Sequence, residues 1–168
     1  MATYTLISSV TVGSGGAANI EFTSIPATYT DLLVKFSART TKTGQTYDET
    51  IISLNNSTAN FSVTRIYGSG SVVGSAGGTT LVFIDVSNSA TANTFSNNEL
   101  YLPNYASSNY KSYSVDNVTE NNATETYSEL LAGLWSNTSA ITSIKFTSYY
   151  AENYMQYTTA YLYGISNA

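Results

Sequence analysis

The sequence predicts an all-β protein, an antiparallel β-sandwich with a jelly-roll-like arrangement of strands. Three observations lead to this class. β-Branched and aromatic residues dominate the chain, whereas the helix formers Glu, Lys, Gln and Arg are scarce. Apolar and polar residues alternate with period two in many segments. Clusters of Gly, Asn and Ser separate these segments at a spacing of about 10–15 residues, as in sandwiches and barrels.

The first half of the chain contains five segments with strand character. Strict alternation between positions 31 and 40 gives one apolar and one polar side, as in a strand with one wet face. Pro26 ends the segment before it, because proline has no N–H to donate to a ladder. The predicted strands are residues 3–12, 19–24, 31–40, 49–54 and 61–67.

The second half begins with residues 68–78, which carry five glycines and are predicted to form a flexible loop or a hairpin tip. The compact apolar run at 81–84 indicates a buried strand. Trp135 ends a segment of mixed pattern and is predicted to lie in the core. The predicted strands are residues 80–86, 95–102, 111–119, 126–135, 141–149 and 154–165.

These segments amount to about ten strands, and a jelly roll fits them best, with about eight longer strands and short additional ones. No internal repeat indicates a propeller or solenoid. No linker divides the chain, so residues 1–168 are predicted to form a single domain. The N-terminus lacks the features of a signal peptide and no apolar run approaches about 20 residues. We therefore expect synthesis in the cytoplasm and no membrane partner.

The composition excludes several kinds of chemistry. The chain has no cysteine and no histidine, so disulfides, thiolate metal sites and imidazole catalysis are ruled out. Its net charge of -5 argues against nucleic acid as a partner. No calcium-binding loop or phosphate-binding glycine loop is found. The sequence therefore predicts a protein that is not an enzyme and uses no cofactor and no metal.

Paired carboxylates are the one catalytic route to weigh against this prediction. Asp48 with Glu49 and Glu125 with Glu129 are close in sequence, and glycosidases use such pairs. Their neighbours are ordinary loop residues, and acidic residues at strand ends usually serve as solvated surface. A small glycan-active enzyme is therefore kept only as a third hypothesis.

Tyrosine-rich loops are the best candidates for binding. Tyr, Ser, Asn and Gly are the residues that binding loops favour, because Tyr gives a large contact area at low entropic cost. The tyrosine-rich loops therefore predict a surface for contact with glycan or protein. The alternative is that these tyrosines lie half-buried at sheet edges or subunit contacts. The candidate contact residues are Tyr101, Tyr105, Tyr110, Tyr149, Tyr150, Tyr154 and Tyr157.

Five segments resemble a group of small bacteriophage virion proteins, best represented among aquatic phages. The segments are residues 22–26 (FTSIP), 29–32 (YTDL), 100–105 (LYLPNY), 132–135 (AGLW) and 161–165 (YLYGI). The resemblance covers most of the chain but marks strands and turns. It implies a β-sandwich component of the virion, often trimeric, on the capsid surface or in the tail. It supplies no catalytic residues.

Two functions follow as expectations. The first is a capsid decoration or cement protein that binds the major capsid protein, as a homo-oligomer and specifically a trimer, and stabilises the shell. Compact size and low charge favour it, because charged groups are depleted in interface cores. The alternative is a tail fibre or receptor-binding protein that recognises a host surface glycan or protein. Both functions place the chain in the virion after synthesis in the host cytoplasm.

Overall fold

A computed structural model describes residues 1–122 and 125–166, which form twelve strands. Their bounds are β1 Thr3–Thr11, β2 Asn19–Phe22, β3 Asp31–Ser37, β4 Tyr47–Leu54, β5 Phe61–Gly68, β6 Val73–Gly78, β7 Val82–Val86, β8 Asn97–Leu102, β9 Lys111–Val118, β10 Ser128–Trp135, β11 Ile144–Ser148 and β12 Thr159–Ser166. Within the described residues, no helix is long and apolar enough to cross a bilayer.

The strands pair into two antiparallel sheets. The larger sheet has the order β1-β12-β3-β8-β9-β10-β5-β6, and the smaller sheet has the order β2-β11-β4-β7. The first strand pairs with the last and the second with the last but one, and β3 and β4 then join the same two sheets in turn. This nested pairing is that of a jelly roll, so the predicted fold class is confirmed.

Two hairpins are inserted into the eight-stranded jelly roll. The β5–β6 hairpin lies between β4 and β7 in the chain, and the β9–β10 hairpin lies between β8 and β11. β9 pairs with β8, and β10 pairs with β5. The two hairpins therefore extend the larger sheet by the order β9-β10-β5-β6, and we call these four the inserted strands.

The core fills the space between the sheets with the alternate residues of each strand. Phe36 of β3 lies at its centre, with its ring centroid 4.8 Å from that of Phe146 and 5.6 Å from that of Phe83. Trp135 of β10 is fully buried and stacks on Phe61 at a centroid distance of 6.2 Å, which confirms its predicted place in the core. The inserted strands thus share one core with the jelly roll.

The glycine-rich segment 68–78 contains the tip of the β5–β6 hairpin, one of its two predicted forms, together with a strand that was not predicted. The Ser69 N–H donates to the Val72 carbonyl at 2.9 Å and closes a turn, after which β6 pairs with β5. Ladder hydrogen bonds need only the backbone, so a strand can form where few side chains are present to mark it. Gly74 also leaves space for the ring of Tyr67, which a Cβ at this position would meet.

The last strand begins later than the predicted range 154–165. Tyr154 forms only isolated bridges, and the chain then turns before β12 starts at Thr159. Tyr157 in this turn has a φ of 72°, a left-handed conformation that does not continue a strand. The alternation of residue types along the chain gives no indication of such a turn. Other predicted strand ends differ from the observed ones by a few residues.

The inserted strands, at one end of the larger sheet, curl over the β7 edge of the smaller sheet. In β7, Phe83 points into the core, yet Ile84, which points the opposite way, is also buried. Ile84 lines a cavity with Arg65 and Tyr67, which lie on the same side of β5 as the buried Val63. Side chains on both faces of β7 are therefore covered, and a cleft separates β4 and β7 from the inserted strands.

Candidate functional site

Two of the seven candidate contact tyrosines are core residues. Tyr105 and Tyr154 are fully buried. The Tyr105 hydroxyl donates to the Pro26 carbonyl, and the Tyr154 hydroxyl lies 2.7 Å from the Thr50 hydroxyl in a hydrogen bond. The prediction that they form part of a contact surface is wrong, because each hydroxyl finds an internal partner and the whole ring can be buried.

The Tyr105 hydroxyl is expected to contribute measurably to stability. Tyr105→Phe removes the hydroxyl of a fully buried ring together with its hydrogen bond to the Pro26 carbonyl, so the free energy of unfolding should fall by about 1 kcal/mol. Urea denaturation measures the change. Tyr110→Phe is the matched control, because Tyr110 is 58% exposed and its hydroxyl can bond to water. Equal stability of the two variants would contradict the assignment.

Tyr101 has an intermediate position on β8. Its hydroxyl donates to Asp31 Oδ2 at 2.8 Å, and the other carboxylate oxygen of Asp31 accepts from the Asn104 N–H at 2.9 Å. Burial, followed by the hydrogen bond to Asp31, raises the pKa of Tyr101 to about 12. Its polar end is thus committed to an internal bond, and only part of its ring is available to a partner.

The other four candidate tyrosines lie on the surface. Tyr110 and Tyr157 are exposed, whereas Tyr149 and Tyr150 form a pair with ring centroids 5.0 Å apart. The Lys42 ammonium lies over the Tyr150 ring, 2.8 Å from its centroid. Among the seven candidates, ring contact joins only Tyr149 and Tyr150 within the described residues.

The outer face of the larger sheet is the first of two surfaces with binding character. Tyr163, Leu33 and Tyr101 lie directly opposite one another on β12, β3 and β8. Leu33 is only 8% exposed although it points away from the core. The flanking tyrosine rings on neighbouring strands account for this, since cross-strand neighbours on one face lie about 5 Å apart.

This outer face also carries a group of exposed apolar side chains on the inserted strands. Ile66 and Leu130 lie opposite each other on β5 and β10, and Val73 starts β6 beside them. These three residues, which we call the apolar patch, are 57%, 56% and 90% exposed. Lys35 and Glu99 form an ion pair on the central strands of the same face. The patch is therefore apolar surface that the described fold does not bury.

The cleft beside β7 is the second surface. It consists of two cavities of about 210 and 120 Å³, and both are lined by Glu49 and Arg65. The larger cavity is also bounded by residues 76–80 of β6 and the loop after it, and by Tyr149. Because these residues of β6 are small, the wall of the cavity leaves room for a ligand.

An ion pair between a partly exposed arginine and a buried glutamate forms one wall of the cleft. Arg65 Nη1 lies 3.5 Å from Glu129 Oε1, and the side chains are 28% and 1% exposed. Burial raises the pKa of the Glu129 carboxyl above its usual value, while Arg65 and the Asn117 amide favour the charged form. Glu129 Oε2 and both polar side-chain atoms of Asn117 are buried without a well-formed hydrogen bond.

Three tyrosines line the smaller cavity. The rings of Tyr47 and Tyr127 meet edge to face at 4.9 Å, and the rings of Tyr67 and Tyr127 are 6.5 Å apart. The Arg65 guanidinium lies over the Tyr67 ring at 5.7 Å. Burial raises the pKa of both Tyr47 and Tyr127 above the usual value. The cleft thus combines aromatic rings with one guanidinium and the Glu49 carboxylate.

The two carboxylate pairs suggested by the sequence do not form as pairs. Asp48 points into the core and is fully buried, while its neighbour Glu49 points to the other face of β4. Glu125 accepts from Thr46 Oγ1 at 3.1 Å, whereas Glu129 contacts Arg65. Neighbouring residues of a strand lie on opposite faces, so adjacency in sequence separates Asp48 from Glu49, whereas Glu125 precedes β10 and Glu129 lies on it.

A different carboxylate has the most unusual surroundings. Asp85 is fully buried on β7 and lies opposite Asp48 of β4. Its Oδ1 accepts from Ser96 Oγ at 2.8 Å and from Asn98 Nδ2 at 2.7 Å, and its Oδ2 accepts from Thr50 Oγ1. Burial raises its pKa to about 6, Asp48 adds to the shift, and these hydrogen bonds oppose it.

Tyr149, Glu49 and Glu129 were sequence candidates, but not for a common site. Arg65 and the three tyrosines of the smaller cavity were missed, although one signal was present. The alternation over 61–67 placed Arg65 and Tyr67 on the same side of the strand as Phe61 and Val63. A charged residue on an otherwise apolar side is a sign of a buried partner or a site. Its partner Glu129 lies on β10, far away in the sequence, and periodicity does not show which strands pair.

Possible metal ligands and similarity to known proteins complete the description of the site. Residues 1–122 and 125–166 contain no group of three or more acidic side chains that could hold a metal ion. No family model, curated protein or solved structure matches the chain.

Proposed function

We propose that the chain is a capsid decoration protein of a bacteriophage. It acts without catalysis: as a homotrimer in the virion, it binds the major capsid protein and stabilises the shell through protein contacts. The sequence resemblance points to virion proteins of this kind. The single observation that carries the proposal further is the apolar patch of Ile66, Val73 and Leu130 on the outer face of the larger sheet.

The patch has the chemistry of an interface core. Apolar side chains that are more than half exposed gain about 25 cal/mol per Å² when a partner removes them from water. They lie on regular strands, so little backbone order has to be gained on binding. Ser75, opposite Ile66 on β6, adds no charge to the surface. On the other side, exposed Asp116 of β9 lies opposite Leu130 and brings one charge to the border of the patch. Charged groups are depleted at the centre of protein interfaces and occur at their rim, which agrees with this arrangement.

Binding to capsids tests the proposal directly. Purified protein mixed with expanded, decoration-free capsids of its phage should bind at a fixed number of copies per capsid, which sedimentation and gel densitometry measure. Ile66→Lys places a charge at the patch and should reduce binding at least about tenfold, because an unpaired charge would be buried at the interface. Light scattering of the free protein should give the mass of a trimer.

Asn19→Lys is the control for this experiment. Asn19 is exposed on β2 of the smaller sheet, so the same charge is added away from the patch and binding should be unchanged. Lack of binding to every capsid form would overturn the proposal. Wild-type affinity of Ile66→Lys would overturn the assignment of the patch as the contact surface.

A receptor-binding protein of the tail fibre is the second candidate. The exposed pair of Tyr149 and Tyr150 favours it, because adjacent accessible aromatic rings can contact a glycan or protein on the host. An excess of free protein should then compete with phage adsorption to host cells. Imaging of labelled particles separates the two candidates, since a decoration protein covers the head and a receptor-binding protein is confined to the tail.

A further inference from the structure

We propose that the cleft between the inserted strands and the β4–β7 edge binds a neutral saccharide. This site goes beyond the decoration function and does not depend on it, since either a head or a tail protein can carry a sugar site. The cleft is formed where the β5–β6 insertion leaves the jelly roll and curls back over the smaller sheet. It is a concave surface with aromatic walls and a few polar groups, which is the usual form of a small-molecule site.

Arg65 supplies the donors of this site. A guanidinium has five N–H donors in a fixed plane, and in the described residues only Nη1 is engaged, with Glu129. Glu129 lies behind Arg65 and is almost wholly buried, so it fixes the guanidinium from the core side. Arg65 lines both cavities, and its remaining donors have the planar arrangement that suits a pair of neighbouring hydroxyl oxygens.

Glu49 supplies an acceptor at the junction of the two cavities. Its half-buried carboxylate can accept from sugar hydroxyls, and a charged acceptor forms stronger hydrogen bonds than a neutral one. Donors and acceptors side by side match hydroxyl groups, which act as both. The site thus has partners for a hydroxyl-rich ligand at the point where both cavities meet.

The rings supply the apolar contacts. Tyr149, at the larger cavity, is 57% exposed, and Tyr47, Tyr67 and Tyr127 surround the smaller one. The C–H faces of a pyranose ring can pack against such rings. The opposite wall at Gly77 and Gly78 carries no side chain, and the larger cavity has a volume of about 210 Å³, so space is left beside Tyr149 for a sugar ring.

Charge narrows the choice of ligand. The cleft is lined by two glutamates and one arginine, so its net charge disfavours a phosphate or another anion. A cationic ligand would compete with Arg65, which already lies over the Tyr67 ring and pairs with Glu129. A neutral ligand with hydroxyl groups avoids both conflicts.

Titration of isotope-labelled protein with methyl glycosides tests the site. The probes are the methyl glycosides of glucose, galactose, mannose and N-acetylglucosamine, with glycerol as a control for hydroxyl groups alone and tetramethylammonium as a cation. At least one glycoside should cause saturable NMR shifts at the Gly77 and Gly78 amides and at the Tyr47 and Tyr67 rings. Glycerol and tetramethylammonium should cause none.

Two variants should weaken this binding while the fold is kept. Tyr149→Ala removes an exposed ring and should raise the dissociation constant about two- to tenfold. Arg65→Lys keeps a positive charge beside Glu129 but loses the planar donors, and should raise it about tenfold or more. Tyr4→Ala is the matched control: Tyr4 is 61% exposed on β1, at the opposite edge of the larger sheet.

The outcomes of the glycoside titration distinguish support for the site from its refutation. Saturable glycoside shifts that both cleft variants weaken and Tyr4→Ala does not would support the site. The proposal fails if none of the four glycosides saturates, if the shifts lie elsewhere, or if Tyr149→Ala and Arg65→Lys bind as wild type does. Saturation by tetramethylammonium alone would replace the saccharide with a cation.

Discussion

The protein is expected to lose about 3 kcal/mol of unfolding free energy as the pH rises from about 3 to about 7, through Asp85 alone. The pKa of this carboxyl is 3.8 in the unfolded chain and about 6 in the fold. The native state therefore binds the proton more tightly. Its contribution to stability is fully present below the unfolded pKa and is lost as the pH rises through the native pKa.

The surroundings of Asp85 explain the size of the effect. The carboxyl is removed from water between β7 and its neighbours, and Asp48 adds a second buried carboxyl opposite it. The hydroxyls of Thr50 and Ser96 and the Asn98 amide donate to it and recover part of the lost hydration. No cationic side chain among the described residues forms an ion pair with it.

Asp85→Asn isolates the contribution of this carboxyl to the pH dependence of stability from the contributions of all other carboxyls. The amide has the shape of the protonated acid and can still accept at one atom from Ser96 and Asn98, so the fold should be retained. Urea denaturation of wild type and variant at a series of pH values gives two curves of stability. Their difference should change by about 3 kcal/mol over the stated range. Parallel curves would show that Asp85 does not carry the raised pKa.

Gly133→Ala is expected to destabilise the protein by about 3 kcal/mol, near the upper end for overpacking a core. Gly133 on β10 lies opposite Tyr113 on β9, and the Tyr113 ring crosses over the glycine. A Cβ at this position would overlap the ring. Tyr113 is 4% exposed and packs edge to face on Phe61 at 6.1 Å, so it has no free space to move into.

Gly78→Ala is the matched control for this substitution. Gly78 is also a strand glycine, on β6, and a Cβ there meets no atom within 4 Å. Its stability should stay within about 0.5 kcal/mol of wild type. The double variant Gly133→Ala with Tyr113→Leu should recover part of the loss, because the two sites are in contact and their effects are not additive. Equal stability of the two alanine variants would contradict this account.

Much of the fold was predictable because burial in a sandwich follows residue type along each strand. The alternation in 31–40 correctly placed Phe36 in the core, and Trp135 was also placed correctly. Two features, β6 and the turn at Tyr157, could not be predicted from the pattern of apolar residues, and the physical reason is the same for both. β6 is held by backbone hydrogen bonds, and the turn at Tyr157 is a backbone conformation, so neither needs a particular sequence of apolar side chains.

The candidate site was much less predictable. Composition identified tyrosine as the relevant residue type, but burial of each ring depends on contacts between distant strands. Tyr105 and Tyr154 lie in predicted contact loops and are nonetheless core residues. Conversely, Tyr67 comes together with Tyr127 only because β5 pairs with β10. Pairing over such distances is not contained in a local pattern.

The pairing of β1 with β12 has a consequence for the time at which the fold can form. β12 joins β1 to β3, so the larger sheet stays divided until the last strand has been synthesised. During translation, β1 has no strand to pair with, and β3 presents an open edge. Contacts between residues so far apart in the chain also make folding slow. The larger sheet is therefore completed only after β12 has left the ribosome, and nascent chains depend on protection from aggregation until then.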